Sequence, residues 1–75
     1  MTATTIPSPG DMLVIEKSGD VYDVLEMVDH NWIPSKSDIK GIDVARIFAR
    51  NRLAPSGREV WFRTESEPDT AIRPF

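Results

Sequence analysis

Hydrophobic positions along this chain follow two rhythms. Met12-Leu13-Val14-Ile15 is a short apolar run, and a second run from Val21 to Val28 follows it after Ser18-Gly19-Asp20. Two such runs parted by Gly-Asp read as a β-hairpin. Val21, Val24, Leu25 and Val28 also fit helical spacing, so residues 21–28 admit either strand or helix from pattern alone. From Asp29 to Ser35 a break is expected, because Pro34 disfavours helix at Ile33 and cannot donate to a strand ladder.

The longer rhythm begins next. Ser37 or Asp38 would cap a helix running to Leu53, with Arg50 and Arg52 suiting its last turn and Pro55 and Gly57 ending it. Gly41 weakens the first turn by about 1 kcal/mol relative to alanine, which allows the regular part to start as late as Ile42. At 100° per residue Ile42, Ala45, Ala49 and Leu53 share one stripe, flanked by Phe48. Asp43, Arg46 and Arg50 form a narrow polar stripe, while Val44 and Ile47 lie on the far side beside Lys40 and Asn51. The apolar arc is broader than one sheet contact requires. Phe48 and Leu53 are expected to pack on Leu13, Ile15, Val60 or Phe62.

Glu59 to Thr64, the turn Glu65-Ser66-Glu67-Pro68-Asp69, and Thr70 to Phe75 read as a second hairpin, with Pro74 at a sheet edge. Residues 1–10 hold Thr, Ser and Pro with only Ile6 to bury, and read as a flexible tail on a single domain of residues 11–75. The order ββαββ predicts an α+β fold, a small antiparallel sheet with one helix packed across it.

Composition narrows the chemistry. Seventy-five residues make one domain. With no cysteine and one histidine, neither a disulfide nor a Cys/His zinc site can form. The first ten residues lack a basic segment followed by an apolar one, and the longest apolar run is four residues, so the expectation is a cytoplasmic protein with no membrane contact.

Charge is laid out unevenly. Residues 1–35 carry Asp11, Glu16, Asp20, Asp23, Glu26 and Asp29 against Lys17, a net of −5. Residues 36–63 carry Lys36, Lys40, Arg46, Arg50, Arg52, Arg58 and Arg63 against Asp38, Asp43 and Glu59, a net of +4. The remaining residues, 64–75, have a net of −2. This layout serves either internal neutralisation or docking to a charged partner.

No catalytic constellation is visible. His30 adjoins Asp29, but sequence neighbours rarely orient one another as a base and its orienter must, and neither a Gly-rich phosphate loop nor a G-x-S-x-G elbow occurs. Asp20, Asp23, Glu26 and Asp29 are spaced by threes, which matches no calcium loop. The expectation is therefore no enzyme, no cofactor and no metal. It is instead a small interaction or regulatory module acting through protein contacts, with self-association as a homodimer one form of it. Val44, Ile47, Trp61, Arg46 and Arg50 are the candidate partner-binding residues. The alternative is nucleic-acid binding through the Arg46/Arg50/Arg58 side, where basic groups would neutralise phosphates.

Overall fold

The computed structural model describes residues 7–55 and 57–75. Its elements are β1 (Met12–Glu16), β2 (Val21–Val28), β3 (Asn31–Lys40), α1 (Ile42–Arg52), β4 (Val60–Thr64), a 3-10 turn at Asp69–Ala71, and β5 (Arg73–Pro74). The fold is α+β, as expected: a five-stranded sheet ordered β3-β2-β1-β4-β5 with one helix. Two features correct the expected topology. The order is βββαββ, and the sheet is mixed, because β4 runs parallel to β1 while the other pairs are antiparallel.

The parallel pair follows from the crossover. Gly41 N–H donates to Asp20 O at 3.0 Å, fixing the start of α1 at the turn end of the first hairpin. Ala54 N–H donates to Gly10 O at 3.4 Å, so α1 returns the chain to the beginning of β1. β4 then starts beside β1, with Val60 opposite Met12.

The third strand occupies the stretch expected to break structure. Asp29 and His30 both take positive φ, 50° and 68°, and form a two-residue turn whose twist suits a hairpin. Asn31 Nδ2 steadies this turn by donating to Asp29 O at 3.2 Å. Pro34 is tolerated because β3 is an edge strand, where a missing N–H costs little. Register shifts between Tyr22 and Leu25 bulge β3, and Asp38 sits there at φ 58° with its N–H donated to Asp23 Oδ1. Ser37 and Asp38 therefore belong to β3, not to a helix cap. Gly41, at φ 93°, makes the sharp turn into α1, a backbone geometry that side chains resist.

The helix lies on the sheet face carrying Met12, Val14, Tyr22, Val24, Ile39 and Val60, with Ala45 and Ala49 wholly buried against it. Two alanines at the contact let the helix backbone approach the strands closely. Phe48, Leu53, Phe62 and Phe75 pack around this centre, half-buried. The β1 residues beneath the helix are thus Met12 and Val14, not the expected Leu13 and Ile15. Leu13 points the other way, buried with Met27 and Trp61.

Residues 7–10 are tied to the fold. Gly10 N–H donates to Met27 O at 3.0 Å, and a Cβ on Gly57 would come within 2.5 Å of Gly10 O, so glycine alone fits there. The rest of the expected tail, residues 1–6, lies outside the described residues. No helix among the described residues is long and apolar enough to cross a membrane.

Candidate interaction surface

Trp61 sits in the sheet and is 3% exposed. Its indole Nε1–H donates to Asp11 Oδ2 at 2.9 Å, and Ser8 N–H reaches the same oxygen at 2.8 Å. Asp11 Oδ1 accepts from the N–H groups of Arg58 at 2.7 Å and Glu59 at 3.1 Å. Burial pushes the Asp11 carboxyl up. The Trp61 indole and the three backbone donors outweigh it, leaving the group below its usual range. Four N–H groups occupy the carboxylate's acceptor sites, so Asp11 is a fixed ionised anchor joining the segment before β1 to the entry of β4. Sequence reasoning counted Asp11 only as a charge. The signal available was an acidic residue placed directly before an apolar strand.

Trp61, committed to that anchor, presents no surface to a partner. The other four candidates all lie on α1, where Asp43, Val44, Arg46, Ile47 and Arg50 are all exposed. Val44 is 56% and Ile47 is 58% exposed, the largest values among the exposed bulky apolar residues that the structure describes. Ala45 and Ala49 fill the inner face, which leaves Val44 and Ile47 no position against the sheet.

The arginines divide by environment. Arg63 pairs with Asp69 at 3.1 Å and Arg73 with Glu67 at 3.1 Å, so the last acidic segment neutralises its own neighbours. The Arg73 guanidinium and the Thr64 N–H hold the Glu67 carboxyl far down, at about 2. Lys17 lies between Asp23 at 3.7 Å and Asp38 at 3.2 Å. Arg46, Arg50, Arg52 and Arg58 have no carboxylate within ion-pair distance among the described residues. Arg46 instead stacks over the Phe75 ring, 4.5 Å from its centroid, and Phe75 in turn meets Phe62 at 4.9 Å. Arg50 and Arg58 meet at an open cleft of about 220 Å³ whose wall also holds Leu53, Glu59, Val60 and Phe75. In the sequence Phe75 only ends the expected edge strand; its place beneath Arg46 depends on the β4–β5 pairing.

Chemical groups elsewhere are few. His30 is exposed in its turn. Tyr22 is buried, and its hydroxyl donates to Asp20 Oδ1 at 3.1 Å; burial and then that partner push its pKa up to about 12, keeping it a neutral donor. No group of three or more His, Asp or Glu side chains among the described residues is placed to hold a metal ion.

Comparison of the chain with protein-family models, with curated proteins and with solved structures finds no match.

Proposed function

We propose that this protein is a non-enzymatic interaction module that acts through protein contacts made by the outer face of α1. One observation carries the reading: Val44 and Ile47 stand more than half exposed on a helix whose inner face is already filled by Ala45 and Ala49. Covering two such side chains removes apolar area from water, at about 25 cal/mol for each Å². Arg50, one turn from Ile47, has no carboxylate within ion-pair distance among the described residues, and Arg46 is stacked on Phe75, so both keep their charge for an acidic group on a partner.

The test uses the tethered chain in extract from its native cells, with and without nuclease, beside a Val44→Glu/Ile47→Lys variant. The expected result is a protein set, identified by mass spectrometry, that survives nuclease and disappears with the variant. Retention that the variant leaves unchanged would overturn the proposal.

A second reading, nucleic-acid binding, draws on Arg50 and Arg58 sharing one cleft beside Phe75. Glu59 lies in the same wall and the chain's net charge is −3, both of which repel phosphate. Salt-sensitive binding of random oligonucleotides, abolished by Arg50→Glu with Arg58→Glu, would establish this second reading.

A further inference from the structure

The charge order along α1 matches an antiparallel copy of itself. Ile47 is the sixth of the eleven residues Ile42–Arg52, so the most exposed large apolar side chain among the described residues sits at the helix midpoint. Asp43 stands one turn before it and Arg50 about one turn after, seven residues apart and therefore on one stripe. Neither has an ion-pair partner among the described residues. A parallel neighbour would carry the two copies of this stripe to opposite flanks of the contact, leaving Asp43 and Arg50 unpaired. An antiparallel neighbour, related by a two-fold axis passing between Arg46 and Ile47, sets each Asp43 opposite Arg50 of the second copy. It also opposes the two helix dipoles.

From this juxtaposition we infer that the occupant of the α1 outer face is a second copy of this chain, docked antiparallel through Val44 and Ile47 and closed by two symmetric Asp43–Arg50 pairs. The inference rests on the interaction reading above and names its partner. The contact is self-complementary, so it closes at two subunits without building a filament. It is also small. An eleven-residue helix is about 16 Å long, too short to cover by itself the roughly 800 Å² per partner of a standard interface. The dimer is accordingly a weak, transient one.

Sedimentation equilibrium of the parent chain and four variants tests this. The parent is expected to show a reversible monomer–dimer equilibrium, and Val44→Glu/Ile47→Lys a folded monomer by circular dichroism. Asp43→Arg alone and Arg50→Asp alone each place like charges across the axis twice, and should weaken the dimer by about tenfold. The doubly reversed variant, Asp43→Arg with Arg50→Asp, restores both pairs and should dimerise as the parent does. These two positions are exposed, so the charge variants remain informative if the Val44/Ile47 variant unfolds. A parent that stays monomeric at hundreds of micromolar overturns the inference, as does a dimer that the single reversals leave intact or the double reversal fails to rescue. In the monomeric case the extract experiment decides separately: variant-sensitive capture of another protein keeps the interaction reading, and its absence removes that as well.

Discussion

Asp11→Asn changes one atom's chemistry at a side chain that accepts four hydrogen bonds. The amide keeps an oxygen able to accept from the Arg58 and Glu59 N–H groups, but its NH₂ would then face the Trp61 indole N–H and the Ser8 N–H. Donor meets donor at both contacts. A hydrogen bond to a charged group contributes about 1.5–3 kcal/mol, and a buried donor left unpaired costs about 1–3 kcal/mol. Ser8 is only half-buried and can turn to water, whereas the Trp61 nitrogen is enclosed. Weighing one enclosed donor fully, one partly, and the lost charge at the two retained bonds, the loss is about 3 kcal/mol. That is a large fraction of the stability of a chain this small. Urea unfolding followed by tryptophan fluorescence measures it, with Trp61 itself among the reporters.

The same experiment has a pH arm. The folded pKa of Asp11 lies below its unfolded value near 4, so its stabilisation is complete above that value and is lost as pH falls through the folded pKa. The stability gap between parent and Asn variant should therefore be widest at neutral pH and shrink below about pH 4. A variant within about 0.5 kcal/mol of the parent at pH 7 would refute the anchor role.

Two further outcomes follow from the core. Ala49→Leu forces a larger side chain where helix and sheet are in contact and should destabilise by about 2–3 kcal/mol in the same urea assay; an unchanged midpoint would mean the helix stands further off. Tyr22 is the one tyrosine, so absorbance at alkaline pH reports it alone. Its folded pKa is raised to about 12 from 10, so its contribution is full below pH 10 and is lost as pH rises through 12, and native-state ionisation beginning near 10 would contradict its burial.

Much of the fold was legible because local rules agreed with the final packing. Gly19-Asp20 between two apolar runs specified the first hairpin, and the spacing of Ala45 and Ala49 specified the inner face of α1. The exposed Val44 and Ile47 were equally visible, as excess apolar width on one helix. Local rules failed where a neighbour supplied what they lacked. Pro34 argues against a strand until the strand is known to lie at an edge, and Asp29-His30 has no glycine to announce its turn. Ser37 and Asp38 are good cap residues, yet the bulged pairing of β3 with β2 holds them in the sheet and passes the helix start to Gly41.

Strand parity was the other decision left to tertiary structure. With apolar residues at four successive positions, Met12 to Ile15 can turn either face to the helix, since one residue of rotation exchanges them. The tie is broken from outside the strand. Asp11, gripped by Ser8, Arg58, Glu59 and Trp61, fixes which way β1 enters the sheet and leaves Met12 and Val14 beneath Ala45 and Ala49. Composition and periodicity thus determined the α+β class, the helix and its uncovered side. The direction of β4, the place of β3 and the burial of Trp61 depended on contacts between residues up to 50 positions apart, which no local pattern encodes.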